Sequence, residues 1–388
     1  MRWGYGPAFP SATREGEAIV HTDIPQLSEI EQLAQVNRPN LVTIVLRTTP
    51  VTTEAEANRI TFGTLIGEAV ARLAAVGGDA AERDRTEAGL RALHEDQHLW
   101  RYLSHTLVVF ASPDRTVSYR LPNALETEWF AGESFRIVPL LRTLTFPHEA
   151  SVLALSQNAV RLIEIGPSGP GTEVEVPELP SDLLDAFNVE DPGVDSHRRR
   201  LHGPEGHTTR LLGYARAVDR AVAPQLRGTQ RPLILAATQP LNGMFRSVTS
   251  ASRLLASSID GNPDERSAAE LDEAARALLD EHYAAELVQL RDRFETRRAA
   301  GRAVTDLTDI ARSAIAGAIS TLYVDVDARP EGTLDVATGS VAAESAPGRS
   351  LIDEIAGQVL QHGGRVLVLR GGDVPGGGAH GAETRFAV

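Results

Sequence analysis

The sequence predicts a multidomain α/β protein, and three observations carry that prediction. Segments with a 3.6-residue apolar period alternate with short, β-branched apolar runs, the pattern of helices laid on sheets. At 388 residues the chain is long for one hydrophobic core, so two or three domains are expected. Turn chemistry punctuates it at "LTFPHEA" and at "SSIDGNPDE" (257–265), giving expected divisions of 1–146, 147–256 and 257–388.

The elements follow in order. "LVTIVLRT" (41–48) reads as a buried strand after Asn37, Pro39 and Asn40. Ile60, Leu65, Ile66, Ala69, Val70 and Leu73 then repeat at helical spacing until "VGG" ends the helix. A second, charged helix covers about 80–98, and "TLVVFAS" and "TVSYRLP" form two strands around Pro113 and Asp114. "SVLALSQNAVRLIEI" (151–165) is the clearest hairpin, with Ser156, Gln157 and Asn158 as its turn. Residues 166–195 read as an acidic, proline-rich linker. A helix follows with Leu211, Leu212, Ala215, Val218 and Val222 on one face, Thr208 or Thr209 as its N-cap and Pro224 as its stop. "RPLILAAT" (231–238) is a buried strand, and a long helix carries Leu271, Ala275, Leu278, Leu279, Leu287, Leu290 and Phe294. Acids crowd its front and arginines its end, which suits the helix dipole. A helix at 305–318, the strand "TLYVDVD", a Gly/Ser/Ala-rich stretch at 332–348 read as a mobile loop, a helix, "RVLVL", a glycine-rich turn and "ETRF" complete the chain.

Composition narrows the chemistry. There are no cysteines, hence no disulfide, thiol nucleophile or thiolate metal site, and a cytoplasmic setting is the simplest expectation. No apolar run approaches the roughly 18 residues of a membrane span. The net charge of −14 argues against indiscriminate nucleic-acid binding, yet the charge is segregated. From Ser196 to Arg231 eight arginines face only Glu205 and Asp219, whereas Gly171 to Asp195 holds eight acids and no basic residue.

Familiar motifs are mostly excluded. "GGGAHG" (376–381) fits G-x-G-x-x-G, but seven residues remain after it and they read as a strand, so it is a turn. With no lysine there is no Walker-type loop, and G-x-S-x-G is missing too. His197, His202 and His207 stand five apart, which matches no common zinc pattern; neither metal nor cofactor is expected. His362 reads as a helix-end residue, and Asp325 and Asp327 as structural or solvated carboxylates on one strand edge.

The basic stretch "HRRRLHGPEGHTTR" (197–210) admits two readings. One is a solvated arginine surface with an irregular turn. The other is a phosphate-binding arm, in which arginine forks pair with phosphate, glycines allow close backbone approach, and the helix N-terminus adds positive potential. The candidate contacts are Arg198, Arg199, Arg200, His202, Gly203, Gly206 and Arg210. A further hypothesis is that the acidic stretch upstream shields them when no partner is present.

The order of the pieces resembles a known family. "HGPEGHTTRLLGYARAVDRAV", "RPLILAATQPLNGMFRSV" and "LIDEIAGQVLQHGGRVLVLRGGDVPGGGAHGAETRF" together resemble the bacterial branch of the archaeo-eukaryotic release-factor and Pelota superfamily, over roughly 148–388. The resemblance implies an N-terminal α/β domain, an RNase H-like middle domain with a loop aimed at the peptidyl-transferase centre, and a C-terminal α/β/α sandwich similar to kink-turn RNA-binding ribosomal proteins. It implies the ribosome (rRNA and tRNA) as partner and admits a translational GTPase; no membrane partner is expected. In release factors that loop carries Gly-Gly-Gln, whereas here it reads His202-Gly203-Pro204-Glu205-Gly206-His207. Only His207 and Glu205 are near enough to activate water. The expected function is therefore ribosome rescue, dissociation or hibernation without peptidyl-tRNA hydrolysis. The alternatives are a hydrolase using His207 or Glu205, and a module for non-ribosomal RNA or a protein.

Overall fold

The computed structural model describes residue 23 and residues 25–49, 54–166, 170–187, 204–227, 229, 231–330, 332–342 and 349–387. Within them the chain builds three principal sheets, each with helices against it, so the α/β class expected from the alternation is observed.

The first sheet is antiparallel, in the order β3 (Thr116–Leu121), β2 (Thr106–Ala111), β1 (Asn37–Arg47), β4 (Glu128–Ser134). Strand side chains alternate between faces. Val42, Ile44 and Leu46 accordingly point one way, into a core with Phe62, Ile66 and Leu73 of α2 (Ala55–Val76), Leu90 of α3 (Ala80–Glu95) and Trp100 of α4 (Gln97–Arg101). Leu41 and Val45 point the other way. They join Ile30 of α1 (Leu27–Ala34), Leu140 of α5 (Val138–Leu144) and residues from the end of the chain.

The second sheet runs β7 (Thr172–Val174), β6 (Val160–Ile165), β5 (Ala150–Leu155), β8 (Leu233–Ala236), β9 (Leu254–Ile259). β5 and β6 are the expected antiparallel hairpin, and its turn is fixed by Ser156 Oγ, which accepts from the backbone N–H groups of Asn158 and Ala159. β5, β8 and β9 are parallel, connected through α6 (Pro204–Leu226) and α7 (Leu241–Val248), which cover one face. The other face is covered by Leu271, Ala275 and Leu279 of α8 (Ala268–Ala299).

The third sheet runs β10 (Ala303–Val304), β15 (His380–Thr384), β11 (Ile319–Asp325), β14 (Arg365–Leu369), with β11 and β14 parallel. Leu322, Val324, Val366 and Val368 face α9 (Leu307–Ile315) and α10 (Leu351–Gln361), while Tyr323, Leu367 and Leu369 face Leu290 and Phe294 of α8. α8 thus serves two sheets, its front half the second and its rear half the third. A buried cluster fastens the rear half: Glu383 accepts from Tyr323 Oη at 2.7 Å and ion-pairs with Arg293 and Arg297, each at 3.1 Å.

Five expectations need correction. Residues 172–187 are not a linker: β7 adds an edge strand, and Leu179, Leu183 and Ala186 pack against the α6 core, closing in a one-turn 3-10 helix at Asp185–Phe187. α6 is under way by Pro204, before either threonine expected to cap it, because a proline is well accommodated where the N–H has no helical partner. It also runs past Pro224 to Leu226, so that proline sits in the last turn. The Gly/Ser/Ala-rich stretch contains a hairpin, β12 (Thr333–Asp335) with β13 (Ser340–Ala342); residues 343–348 lie outside the described set. Finally, β15 starts within the glycine run at His380, so Gly381 of G-x-G-x-x-G is a strand residue antiparallel to β11, with no helix after it. His362 is the C-cap of α10, as expected, and Gly363 behind it takes the left-handed conformation (φ 68°) that lets the chain turn into β14.

Candidate nucleic-acid interface

The candidate interface is built on α6. Leu211, Tyr214, Ala215, Val218 and Val222 recur at helical spacing and are buried, and they hold the helix against Leu153, Leu155, Leu233 and Leu235 of the second sheet. The opposite face exposes His207, Thr208, Thr209, Arg216 and Arg220, and Arg227 follows one residue past the helix end. From Gly206 to Arg227 the only carboxylate is Asp219, and it points inward. Asp219 accepts from Thr249 Oγ at 2.8 Å and from the backbone N–H and Oγ of Ser250 at 3.1 Å, tying α6 to the segment after α7. Among the described residues, the outer face therefore carries arginine charge with no carboxylate of α6 beside it over about 16 Å from Arg216 to Arg227.

Arg231 belongs to the same basic stretch but not to this face. It ion-pairs with Glu149 and Glu164, each at 3.0 Å. Burial alone would lower its pKa; the two carboxylates outweigh that and hold it above the ordinary arginine value. Beyond the end of α6 lies a cleft of about 540 Å³ lined in part by Arg227, Ser250, Arg253 and the carboxylate-paired Arg231.

The predicted site residues fall into four groups. Arg198, Arg199, Arg200, His202 and Gly203 lie outside the described residues. Glu205 is in the first turn of α6, its side chain outside the described set, and Gly206 beside it is buried. His207 is exposed and has no hydrogen-bond or ion-pair partner among the described residues, so no orienting group stands beside it there. Arg210 is half-buried, and its Nε is enclosed without a hydrogen-bond partner. One turn on, the Tyr214 hydroxyl is also enclosed and unpartnered; burial, then the charges of Asp182 and Asp264, push its pKa well above the ordinary phenol value.

Arg216, Arg220 and Arg227 belong to the basic stretch but are not among the contacts expected from the sequence. Their spacing of four and then seven was the available signal, since such positions share one helix face. The packed turn upstream adds an apolar edge: Leu184 and Phe187 are exposed at 72% and 37%. A Cβ added at Gly213 would meet Phe187 Cζ at 3.2 Å, so the glycine lets that ring lie against the helix. No group of three His, Asp or Glu arranged to hold a metal is found among the described residues.

The comparisons with known proteins concern this same region. The model of the bacterial archaeo-eukaryotic release factor family 11 matches residues 147–285, from β5 through the front half of α8. No curated protein matches the sequence. Among solved structures, the chain is similar to archaeal Pelota in a model of ribosome-bound Pelota and ABCE1, at 10% identity, covering 94% of this chain and 95% of that one with a TM-score of 0.39. A second is Dom34 of S. cerevisiae, described as a translation termination-like factor, at 11% identity over 71% and 74% with a TM-score of 0.39. A third is the archaeal translation termination factor aRF1, at 12% identity over 93% and 97% with a TM-score of 0.22. Residues 147–285 thus match the model of the bacterial archaeo-eukaryotic release factor family 11, the branch that the order of the sequence motifs resembles.

Proposed function

We propose that the protein is a ribosome-binding translation factor of release-factor and Pelota type, acting in rescue, dissociation or hibernation without peptidyl-tRNA hydrolysis. The observation that carries this reading is the join, within the family-matched segment, of a basic approach at 198–200 to a helix whose outer face, among the described side chains, carries arginines and no carboxylate. Such a surface suits rRNA or tRNA phosphates, and each phosphate it neutralises makes binding more salt-dependent. The loop has no Gly-Gly-Gln, and His207 stands exposed without a partner among the described residues, which favours occupancy over hydrolysis. On this reading the first sheet heads an N-terminal domain and the second an RNase H-like middle domain. The third sheet, with helices on both faces, would be the C-terminal sandwich, with the passage from middle to last domain inside α8 and not at the expected 256–257, which falls within β9 (Leu254–Ile259). A translational GTPase is the candidate delivery partner.

The test is sedimentation of the full chain with ribosomes through a sucrose gradient, with labelled-peptide release from stalled complexes measured in parallel. The protein is expected in the ribosomal fractions at low salt, with no peptide released. Arg198→Glu, Arg199→Glu and Arg200→Glu together are expected to weaken association and flatten its salt dependence. Residence in the light fractions at low salt sinks the ribosomal reading. Peptide release that is lost in His207→Ala or Glu205→Ala sinks the non-hydrolytic one.

A further inference from the structure

A cleft of about 370 Å³ opens where the first sheet meets the third, and its charges are unevenly matched. Six charged residues line it: Glu126, Glu128, Arg142, Asp327, Arg329 and Arg370. Glu128 is engaged by Arg329 at 2.8 Å and by Arg136 at 3.6 Å. Arg329 also donates to the Val326 and Ala328 carbonyls. Glu126 faces Arg47 at 3.5 Å. That leaves Arg142, Arg370 and Asp327.

Arg142 projects from α5 and donates to the Val368 carbonyl of β14 at 2.9 Å. Neither Arg142 nor Arg370 has a carboxylate within ion-pairing distance among the described residues. The nearby Asp373 is held by Arg291 at 2.8 Å. Burial, and next the positive charge of Arg370, lowers the Arg142 pKa, with Asp373 offsetting part of the effect. Two guanidinium groups, one on each side of the junction, thus face one cleft without a counter-ion. Two cations so placed repel each other until an anion bridges them, and the guanidinium fork is shaped for phosphoryl oxygens.

We propose that this cleft binds a small phosphorylated ligand, its phosphoryl oxygens bridging Arg142 and Arg370 and its hydroxyl or amino donors meeting Asp327. The cleft volume is in the range of small-ligand sites. Because the two arginines come from the two sides, the occupied cleft braces the first sheet against the third. The proposal does not depend on the ribosomal reading, since none of these residues lies on the α6 face.

Isothermal titration and thermal unfolding of the full chain with inorganic pyrophosphate, inorganic phosphate, citrate, ADP and GDP test it. Pyrophosphate or a nucleotide is expected to bind, raise the unfolding temperature with concentration, and bind tighter than citrate. Arg370→Gln, at an exposed position, is expected to keep the fold and weaken binding by about tenfold or more. Arg216→Gln with Arg220→Gln, on the α6 face, is expected to leave it unchanged. Asp327→Asn is expected to weaken ADP and GDP but not pyrophosphate. No binding by any phosphate probe overturns the proposal, and so does equal binding by wild type and Arg370→Gln. Citrate as tight as pyrophosphate overturns the phosphoryl assignment.

Discussion

At the scale of single residues, the sequence shows which side chains are charged but not what they face. Asp219 and Glu205 are its two acids in the basic stretch, and only the structure shows Asp219 turned inward onto Thr249 and Ser250. His380 is another such case. In the sequence it is one letter of a glycine-rich turn; in the fold it opens β15, half-buried, with Nδ1 enclosed and unpartnered. Burial lowers its pKa below the ordinary value of 6.5, with Asp306 opposing. The unfolded chain therefore takes up this proton more readily than the folded one. The contribution of His380 to stability is complete above about pH 6.5 and declines as the pH falls from there toward the lowered folded pKa. His380→Gln is expected to remove this component, so urea midpoints of the variant fall less steeply than those of wild type between about pH 7.5 and 5.5. Parallel midpoint curves would show that the histidine titrates as an exposed one does.

At the scale of elements, strands and helices with an apolar face were legible, because burying that face is what forms them. β1, the β5–β6 hairpin, α2, α6 and α8 all carry such a pattern. β7, β12 and β13 do not. They are three residues each, with Leu334 their one buried side chain, and backbone pairing to a neighbour holds them, which their own side chains barely announce. The start of α6 differs from expectation for a related reason: threonine is a good cap in general, but Pro204 already lies in the helix. The candidate interface was legible as a charge count and became a face only once α6 was oriented by its buried stripe. Its arginines therefore allow a clean separation of binding from folding. Arg216→Gln, Arg220→Gln and Arg227→Gln together are expected to change stability by less than about 0.5 kcal/mol each, since all three are exposed. They are expected to lower the slope of log K against log salt for ribosome or RNA binding by up to about 2. An unchanged slope would remove this face from the interface while leaving the 198–200 approach to be judged by its own variants.

At the scale of the whole molecule, the sequence suggested successive domains, and the described residues show how the sheets are joined. The apolar stripes of α9 and α10 were visible, but a stripe does not say what covers it. Here it meets the first sheet, in one core running from Leu41, Val45 and Phe110 to Ile310, Ile355 and Val368. The junction is fixed by Asp353 of α10, whose Oδ1 accepts from the backbone N–H groups of Ile137 and Val138 at 2.7 and 2.9 Å, capping α5 from across the interface. Arg136 pairs with the same carboxylate at 3.5 Å, and both side chains are buried. The second sheet has cores of its own, drawn from residues 150–279, and touches the rest chiefly through α8 and the crossing at Pro147, whose carbonyl accepts from Tyr283. These facts set an order of failure. Asp353→Ala leaves the buried Arg136 with only the longer contact to Glu128 at 3.6 Å and uncaps α5, which is expected to cost about 3 kcal/mol. That cost falls on the core shared by the first and third sheets. Calorimetry of the variant is expected to resolve a low-temperature transition for that core and a later one for the second sheet. Hydrogen exchange is expected to locate the lost protection in β1, β11 and β14, with β5 and β8 still protected. A single transition, with β5 and β8 losing protection together with β1, would mean that α8 couples all three sheets into one cooperative unit.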